Sequence, residues 1–439
     1  MSVSPSIAVI GAGYVGLIQA VGLAKQGRNV ICIDVNANRI DQLKAGVPPI
    51  YEEGLEDLLS EVIASEKIAF SLSIKDAKEC GAFFVAVGTP TDDMTGNANL
   101  DYLYSAVEDI SGIARKGAVV VVKSTVPIGT CERLQTHLNE LVPDKKLAVV
   151  SNPEFLREGR AIHDFLNPER VVLGGADDAA LSKVREIYSV FDNANVPFVV
   201  SDWFSSETIK YAANAFLAMK VTFINEIANL TQTVGGDIEI VSKGIGLDSR
   251  IGDKFLNAGP GYGGSCFPKD TLALATMARR HGVQQQILEA VIAVNDNRRY
   301  MILRRIEDIL GESLRGKKVA VLGIAFKANT DDIRDSSAVS IIHTLLDEDA
   351  IVRAYDPMAK YETGNPNYSQ VPSVEDAMED ADVTLIVTEW EEFKTFDYNS
   401  CLKTVGQPKI LDLRLLLKSR QAELSDWGIC FIGINSENS

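Results

Sequence analysis

Short, continuous apolar runs recur along the first part of the chain, and each is followed by a stretch in which apolar residues have helical spacing. The runs lie at residues 6–10, 29–34, 83–87, 118–123 and 147–151, and further ones follow at 170–174 and 197–200. Strands that are apolar on both faces are typical of a parallel sheet covered by helices on both sides. The pattern therefore predicts a doubly wound, Rossmann-like α/β domain over residues 1–203.

A single long helix is predicted over residues 205–233, with Ser205 or Ser206 as its N-cap and Gly235-Gly236 as its stop. At 1.5 Å per residue it would be about 40 Å long. Apolar residues occur almost all round it, which is typical of a helix buried between domains or subunits. Helical patterns at 271–281 and 284–311 complete a central helical region over residues 204–311.

A second series of apolar runs begins after the polar stretch 311–318. The runs at 319–323, 351–356, 381–387 and 409–412 again alternate with helical segments. This rhythm predicts a second Rossmann-like α/β domain with a parallel sheet over residues 312–439. Its first turn, at residues 323–328, lacks a glycine fingerprint, so we expect it to bind something other than a second dinucleotide.

Composition and charge narrow the classes of function. The chain has 439 residues, 46% hydrophobic and 23% charged, which is typical of a folded globular protein. Its net charge of −17 argues against nucleic acid and anionic membranes as partners. The six cysteines lack paired spacing, which favours reduced thiols over a disulfide framework and indicates no metal site. The apolar runs are far shorter than the ~20 residues of a membrane span, and the first residues lack a basic targeting region, so a cytoplasmic location is predicted.

A glycine-rich turn, Gly11-Ala-Gly-Tyr-Val-Gly16, lies between the first strand pattern and a helix pattern. In a dinucleotide fingerprint the three glycines in turn make the tight bend, admit the pyrophosphate and allow close helix packing. Asp34 ends the second strand, where a carboxylate can accept hydrogen bonds from the ribose hydroxyls and repel a 2′-phosphate. NAD is therefore favoured over NADP, although Arg39 in the following helix could attract that phosphate.

Polar residues follow three more strands at the edge where a doubly wound sheet binds its ligands. Thr89, Thr125 and Glu154 come after the runs at 83–87, 118–123 and 147–151. Because the carboxyl ends of parallel strands share one edge, we expect these side chains to face one crevice. For each residue alone, a capping or turn role is the alternative.

The segment Asn257-Ala-Gly-Pro-Gly-Tyr-Gly-Gly-Ser-Cys-Phe-Pro-Lys-Asp270 places a single cysteine, Cys266, among four glycines and just before Lys269. Glycines let the backbone approach a ligand closely, and a nearby cation favours the thiolate. The segment therefore predicts an activated nucleophile, and the alternative is an inert thiol in a structural loop.

Two further pairs of polar residues are candidates for ligand binding. Lys210 and Asn214 lie four positions apart and share one face of the long helix. Lys327 and Arg334 offer the local positive charge that an anionic ligand would need on so acidic a protein. Solvated surface positions are the alternative for both pairs.

With these motifs in order, the chain resembles the UDP-glucose/GDP-mannose dehydrogenase family, in its bacterial type. The resemblance runs from end to end and implies an NAD-binding N-terminal domain, a central helix that forms a homodimer or higher homo-oligomer, and a C-terminal domain that helps to hold UDP. It rests on Gly11-Ala-Gly-Tyr-Val-Gly16, Val87-Gly-Thr-Pro-Thr91, Ser124-Thr-Val-Pro127, Ser151-Asn-Pro-Glu-Phe-Leu-Arg-Glu-Gly159, Lys210-Tyr-Ala-Ala-Asn214, Gly263-Gly-Ser-Cys-Phe-Pro-Lys-Asp270, and Ala325-Phe-Lys327 through Arg334.

The resemblance also implies roles for individual residues. Cys266 would be the nucleophile, Lys210 and Asn214 would polarise oxygens at the sugar's C6, Asp270 would position a water, Glu154 would assist thioester hydrolysis, and Thr125 would lie near that water. The implied NAD contacts are Gly11, Gly13, Tyr14, Val15, Gly16, Asp34, Arg39, Thr89, Thr125, Glu158 and Arg334. The implied substrate contacts are Glu154, Phe155, Leu156, Glu158, Lys210, Asn214, Arg250, Phe255, Gly263 and Lys327, with Arg250 a candidate to reach across a dimer.

The reaction that the resemblance implies is the NAD-dependent, four-electron oxidation of UDP-glucose at C6 to UDP-glucuronate, through a thiohemiacetal and a thioester of Cys266. Family members that act on UDP-N-acetyl sugars tend to have a His before the cysteine, whereas Ser265 precedes it here. A dehydrogenase of GDP-mannose or of a UDP-N-acetyl-hexosamine is the alternative within the family. A non-catalytic NAD-binding scaffold is the alternative of another class, and the unbroken motifs argue against it.

Overall fold

The computed structural model describes residues 6–90, 98–401, 409–427 and 429–433, so Thr91 of the second motif and the N-terminal residues 1–5 lie outside the described chain. The strands, in chain order, are β1 (Ile7–Ile10), β2 (Val30–Ile33), β3 (Ile68–Ser71), β4 (Ala82–Val85), β5 (Val119–Val122), β6 (Ala148–Ser151), β7 (Val171–Gly174), β8 (Phe198–Ser201), β9 (Lys318–Leu322), β10 (Ile351–Tyr355), β11 (Tyr368–Gln370), β12 (Val383–Ile386), β13 (Lys409–Asp412) and β14 (Cys430–Gly433).

Helices connect most of these strands. They are α1 (Tyr14–Lys25), α2 (Ala37–Lys44), α3 (Leu55–Ala64), α4 (Asp101–Ile113), α5 (Thr130–Leu141), α6 (Ala161–Leu166), α7 (Asp178–Ile187), α8 (Ser189–Asn193), α9 (Trp203–Thr233), α10 (Ile238–Gly246), α11 (Phe267–Arg280), α12 (Gln286–Leu310), α13 (Ser337–Asp347), α14 (Val374–Met378), α15 (Glu391–Thr395) and α16 (Gln421–Asp426).

The first sheet has eight strands in the order β3-β2-β1-β4-β5-β6-β7-β8. The strands from β3 to β6 pair in parallel, as the continuous apolar runs predict. However, β7 pairs antiparallel to β6 through Ser151 and Gly174, and β8 is parallel to β7. The expected parallel sheet is therefore reversed at this edge. An apolar run reports burial but not direction, which is why the reversal is not visible in the pattern.

Side chains of β1, β2 and β4 to β7 are buried on both faces of the first sheet, whereas Val199 and Val200 of the edge strand β8 are exposed. Ile7 and Val9 belong to one apolar cluster, which includes the helices α1, α3 and α7, whereas Ala8 and Ile10 belong to the cluster on the opposite face with α4 and α5. This alternation follows from the two-residue period of a strand, and it accounts for the absence of polar positions in β1. The fold is thus the expected doubly wound one.

The second sheet has six strands, in the order β11-β10-β9-β12-β13-β14, and all of its pairings are parallel. Val319 to Leu322 of β9 are fully buried at the centre of the sheet. This architecture repeats the Rossmann-like pattern that the apolar runs after residue 318 predict.

The long helix α9 begins two residues before the expected N-cap. Asp202 is the reason, because its carboxylate accepts hydrogen bonds from the Ser205 backbone N at 2.8 Å and from its hydroxyl at 2.8 Å. Some apolar side chains on α9 are buried in the single chain, such as Ile224, whereas others are exposed, with Phe216 at 58% and Leu230 at 60%. Burial of this helix against a second subunit remains a prediction.

The chain divides into two compact units. One comprises residues 1–213 and 276–281, and the other comprises residues 214–275 and 282–439. The division falls within α9, so the N-terminal turns of that helix belong to the unit with the first sheet. The predicted boundaries near residues 203 and 311 stay predictions.

Candidate functional site

The glycine-rich turn has the geometry that a dinucleotide fingerprint requires. Gly11 has a φ of +95°, and its backbone N donates to the Ile33 carbonyl at 2.7 Å. A Cβ at Gly16 would lie 1.8 Å from the Gly11 carbonyl oxygen, so only glycine lets α1 pack this closely. A Cβ at Gly13 would meet no atom within 4 Å, which leaves the N-terminus of α1 open to an anionic group.

Asp34 lies at the end of β2 and is buried beside that turn. Its Oδ2 accepts from the Ala12 backbone N at 2.7 Å and from Arg39 Nη1 at 3.0 Å, and its Oδ1 accepts from the Asn36 backbone N at 2.9 Å. Each carboxylate oxygen can accept two hydrogen bonds, so Oδ1 retains capacity for a ribose hydroxyl. The turn and this carboxylate therefore fit NAD. The Arg39 guanidinium forms an ion pair with Asp34.

We expect kcat/KM to be lower with NADP than with NAD by on the order of 10²-fold. The 2′-phosphate of NADP would be repelled by the Asp34 carboxylate, and the hydrogen bond from the ribose 2′-hydroxyl to that carboxylate would be lost. Steady-state kinetics with each cofactor measure the ratio. Asp34→Ala should narrow it, whereas Asp57→Ala in α3 should leave it unchanged as a control. Equal kcat/KM values for the two cofactors in the wild type would show that Arg39 outweighs Asp34.

Hydrogen bonds connect the loop after β4 with the loop after β5. Thr89 Oγ1 donates to the Thr125 carbonyl at 2.9 Å, and Ser124 Oγ donates to the Val87 carbonyl at 2.6 Å. The structure thus places the Thr89 side chain against the Thr125 backbone at the carboxyl edge of the sheet. A shared crevice for the side chains of Thr89, Thr125 and Glu154 stays a prediction. Buried Glu207 in α9 also holds the loop after β5. Its carboxylate accepts from the backbone N of Gly129 at 2.5 Å and of Cys131 at 2.8 Å, a role that its sequence position does not reveal.

Lys210 and Glu154 form a buried ion pair. Lys210 Nζ lies 2.9 Å from Glu154 Oε1, and the side chains are 5% and 8% exposed. Glu154 Oε2 accepts from the Leu156 backbone N at 2.6 Å. Burial by itself would raise the pKa of Glu154, but Lys210, the Leu156 amide and Lys123 together lower it below its ordinary value. The Lys210 ammonium also lies 5.3 Å from the centre of the Phe155 ring.

Glu52 accepts hydrogen bonds from the segment that follows Glu154. Its carboxylate accepts from the backbone N of Gly159 at 2.8 Å and of Ala161 at 2.6 Å, and from the hydroxyl of Tyr14 in the first turn of α1. Burial, together with this hydrogen bond, raises the pKa of Tyr14 well above its ordinary value. Glu52 therefore links the glycine-rich turn with the segment around Glu158. The sequence pattern gives no sign of this, since Glu52 lies in a short loop before α3.

The glycines before Cys266 have a different role from the one that we expected. A Cβ at Gly263 would lie 2.3 Å from the Asp335 carbonyl oxygen, and one at Gly264 would lie 2.7 Å from the Phe326 ring. Gly261 has a φ of +122°, and its Cβ would lie 2.9 Å from Asn295 Oδ1. The space beside these three glycines is thus filled by the chain itself. On that side, the glycines allow the loop to pack closely against other residues of the chain. They do not serve the approach of a ligand there.

Cys266 directly precedes α11, which begins at Phe267 and not near residue 271 as expected. Pro268 in the first turn is the sequence signal that could have placed this start. Cys266 is partly exposed, whereas the four other cysteines with described side chains are buried. Its Sγ lies 3.6 Å from Ser265 Oγ. Cys266 thus lies at the N-terminus of α11, the end at which the helix dipole is positive.

Asp270 lies in the first turn of α11 and is 1% exposed. Its backbone N donates to the Cys266 carbonyl at 2.9 Å. Its carboxylate accepts from Asn214 Nδ2 at 2.6 Å and from Lys269 Nζ at 2.5 Å. The structure therefore brings Asn214 and Asp270 together through a hydrogen bond. The Lys269 ammonium therefore forms an ion pair with Asp270.

The remaining candidates for substrate and cofactor contacts lie on loops. Phe255 has a φ of +64°, unusual for a bulky residue, and its ring centre is 5.9 Å from that of Phe267. Lys327 lies over the Phe326 ring at 5.1 Å. Arg250 and Arg334 are exposed, and each pairs at 2.6 Å with a nearby aspartate, Asp248 and Asp332 respectively.

The first turn of the C-terminal sheet differs from the glycine-rich turn in the hydrogen bonds that its aspartate accepts. Asp356 Oδ2, at the end of β10, accepts from the backbone N of Ile324 at 2.7 Å and of Ala325 at 3.0 Å, and from Trp390 Nε1 at 3.2 Å. A Cβ at Gly323 would lie 2.4 Å from Thr388 Oγ1. Asp356 Oδ1 also accepts from the backbone N of Met358 at 2.9 Å and of Ala359 at 2.7 Å, so donors of the chain itself fill both oxygens of the carboxylate that corresponds to Asp34.

Residues 6–90, 98–401, 409–427 and 429–433 contain no group of three or more His, Cys, Asp or Glu side chains that could hold a metal ion. In the same part of the chain, no helix combines the length and apolar character needed to cross a membrane.

Comparison with family models assigns three consecutive matches. Residues 5–192 match the NAD binding domain of the UDP-glucose/GDP-mannose dehydrogenase family, residues 204–297 match its central domain, and residues 320–419 match its UDP binding domain. Together the three matches cover most of the chain.

Individual relatives agree with these models. The chain is 44% identical over 434 residues to a UDP-glucose 6-dehydrogenase of Rhizobium meliloti, covering 98% of this chain and 99% of the relative. It is similar to the solved structure of a UDP-glucose dehydrogenase from Pyrobaculum islandicum, with 37% identity, a TM-score of 0.89 and 99% of both chains covered. A UDP-D-ManNAc dehydrogenase from Pyrococcus horikoshii is 25% identical, with a TM-score of 0.86 over 99% of this chain and 100% of that one.

Proposed function

The chain belongs to the UDP-glucose/GDP-mannose dehydrogenase family, and from that premise we propose that it oxidises UDP-glucose at C6 to UDP-glucuronate, with NAD as the oxidant. The observation that carries this proposal is the position of Cys266 before α11, next to the buried Asp270–Asn214 pair, in a chain that also has the Asp34 glycine turn. An alcohol dehydrogenase that stops at the aldehyde has no use for such a thiol. Identities of 40% or more with curated UDP-glucose 6-dehydrogenases support this substrate.

The first oxidation would use the polar groups of α9 and of the Glu154 segment. The Lys210 ammonium, held by Glu154, would stabilise negative charge on the C6 oxygen as its proton leaves. Asn214, held by Asp270, would donate to the same oxygen through the amide proton that its carboxylate partner does not use. Two molecules of NAD per substrate would supply the oxidising equivalents, each accepting a hydride from C6 when bound.

The second oxidation would depend on Cys266. Its thiolate would add to the carbonyl carbon of the aldehyde and form a C–S bond, and the resulting alkoxide would take up a proton as a thiohemiacetal. This species can lose hydride directly, whereas a free aldehyde must first be hydrated. The thioester that results would be hydrolysed by a water that Asp270 positions and Glu154 assists, which returns the thiol and releases the carboxylate product.

Substrate recognition would involve the loops that carry the remaining candidates. We infer that Phe155, Leu156 and Glu158 contact the UDP-sugar, together with Phe255, Gly263 and Lys327. Their support is the family resemblance, together with the local positive charge of Lys327. Thr125 would lie near the hydrolytic water, and Arg334 near NAD.

We also propose a homodimer through the exposed apolar side chains of α9, with Arg250 reaching the neighbouring subunit. We further propose a cytoplasmic location.

The test of the proposed function is the amount of NADH formed per UDP-glucose consumed, with the product identified by mass. We expect two NADH and UDP-glucuronate. GDP-mannose and a UDP-N-acetyl-hexosamine, assayed in parallel, should be much poorer substrates. One NADH with accumulated aldehyde would exclude the double oxidation, and preferential turnover of another sugar nucleotide would reassign the substrate. NAD binding without turnover of any of the three would indicate the scaffold function.

A further inference from the structure

A cavity with an excess of positive charge lies among α9, α12 and β13. It has a volume of about 450 Å³, which is in the range of sites for small molecules. Its titratable lining side chains all come from α12 and are Arg298, Arg304, Arg305 and Asp308. Three positive charges and one negative charge leave two net positive charges, in a chain whose net charge is −17. Neither the resemblance nor the proposed mechanism assigns these residues a role.

Arg298 carries a buried positive charge that no carboxylate of the described chain neutralises. It is 4% exposed, and its guanidinium donates from Nε to the Gly259 carbonyl at 2.5 Å and from Nη1 to Asn229 Oδ1 at 3.4 Å. Both acceptors are neutral, and a guanidinium has five N–H donors. Burial lowers the pKa of Arg298 to about 10, and no described carboxylate opposes this shift. Arg298 therefore stays charged at neutral pH, with donors that these two hydrogen bonds do not use.

The one carboxylate in the lining acts on a different arginine. Burial lowers the pKa of Arg305, and Asp308 opposes that shift, whereas Arg298 receives no such contribution. Because burying a charge without an opposite charge is costly, buried arginines are usually paired. An anion in the cavity would supply the opposite charge that Arg298 lacks among the described residues.

The lining also indicates the chemistry of that anion. Guanidinium groups bind phosphate through two parallel hydrogen bonds, and a phosphate monoester carries a charge of about −1.5 to −2 at neutral pH, close to the opposite of the charge of the lining. The side-chain amides of Asn229 and Gln232 also line the cavity and can bond hydroxyl groups, and Leu411 and Leu413 add apolar contact area. This combination favours a small organic phosphate that bears hydroxyl groups.

The cavity is on a different side of α9 from the apolar stripe proposed for the homodimer. Phe216, Phe223 and Leu230 are exposed and recur every seven residues, so they share one face of the helix. At about 100° per residue, Asn229 and Gln232 lie roughly 120° and 180° round the helix from Phe223. A second subunit that covers the stripe would therefore leave the cavity free for a small molecule.

We propose that this cavity is a binding site for a small organic phosphate, whose phosphate group pairs with Arg298, Arg304 and Arg305. The hydrogen bond from Arg298 Nε to Gly259 holds one guanidinium in place before the ligand arrives, which reduces the entropy lost on binding. The site goes beyond the proposed function, since none of these arginines is a candidate contact of NAD or of the sugar nucleotide.

Isothermal titration calorimetry of the full-length protein with glucose 1-phosphate tests the proposal. NAD and UDP are kept in excess, so that the dinucleotide turn and the UDP binding domain are occupied. We expect one glucose 1-phosphate per chain. Arg305→Gln should weaken its affinity by at least about tenfold, the effect of losing a hydrogen bond to a charged group. The double variant Arg304→Gln with Arg305→Gln should show no measurable binding.

The variants were chosen to leave the fold intact. Arg304 is exposed and Arg305 is partly exposed, so the unfolding midpoint without ligand should stay close to that of the wild type. Arg315→Gln is the matched control, because Arg315 is exposed, pairs with Asp349 at 3.1 Å and does not line the cavity. This control should bind glucose 1-phosphate like the wild type. Inorganic phosphate, titrated in parallel, should bind more weakly, since it has no organic part to contact the lining.

Several outcomes would overturn the proposal. Binding that the double variant retains in full would place the phosphate elsewhere, and absence of binding to the wild type in the millimolar range would exclude the site. Equal affinities for the two phosphates would show that the site selects only the bare ion. If sedimentation shows that the double variant changes the oligomeric state and neither protein binds phosphate, the cavity is a contact between subunits. NADH formation from UDP-glucose tests the proposed function separately.

Discussion

Cys266→Ser is expected to lower the overall rate of UDP-glucose oxidation by at least ~10³-fold, the order observed when one member of a catalytic unit is removed. The substitution changes the side-chain volume little, so folding and NAD binding should survive. A serine hydroxyl has a far higher pKa than a thiol, and neither the N-terminus of α11 nor Lys269, which is bound to Asp270 at 2.5 Å, would make it ionise. The first oxidation does not need sulfur, so the substrate should stall as bound aldehyde or as a slowly hydrolysed serine ester.

Intact-protein mass spectrometry after incubation with UDP-glucose and NAD would detect such an ester as added mass, and NADH release would give the rate. Cys80→Ala, which removes a buried thiol of the first domain, is the control and should turn over normally. Wild-type turnover by Cys266→Ala would remove Cys266 from the mechanism and return its loop to a structural role.

Lys210→Met is expected to cost about 3–5 kcal/mol of unfolding free energy, because it leaves the Glu154 carboxylate buried without its ion-pair partner. It should also nearly abolish turnover, since the charge that would stabilise the C6 oxygen is lost. Glu154→Gln with Lys210→Met should restore part of the stability but none of the activity. Chemical denaturation of the single and double variants measures the first effect, and NADH formation measures the second.

An exposed pair provides the matched control. Lys25 and Glu61 lie 2.5 Å apart but are 39% and 58% exposed, so Lys25→Met should change stability by about 0.5 kcal/mol or less. The buried pair also predicts a pH dependence. Because the pKa of Glu154 is lowered in the folded protein, its contribution is present above its ordinary value of 4.5 and is lost as the pH falls through the lowered value. A Lys210→Met variant as stable as the Lys25→Met control would show that the pair is not a buried one in solution.

The features that the sequence predicted well depend on neighbours in the chain. The glycine-rich turn needs a positive φ at Gly11, and a Cβ at Gly16 would meet the Gly11 carbonyl only five positions away. Asp34 is placed by the length of β2, so its position beside Ala12 follows once the strand and the turn are known. Each apolar run in the first part of the chain likewise contains a strand of the first sheet.

Other features depend on contacts between distant segments. Lys123 meets Asn152 at a separation of 29 positions, and Glu52 meets Gly159 at 107, so no local pattern distinguishes either residue from an ordinary charged side chain. The glycines before Cys266 illustrate the same limit. Glycine spacing indicated a close approach but not what approaches, and the structure places Asp335 and Phe326 there.

The sequence by itself thus determined the two α/β domains, the dinucleotide turn and the candidate nucleophile, because periodicity, turn chemistry and helix spacing are local properties. Tertiary structure alone decided the reversal of β7 and β8 and the burial of the Lys210–Glu154 pair and of Lys123. Strand direction and the cost of a buried charge depend on which segments become neighbours, and only the folded chain specifies those neighbours.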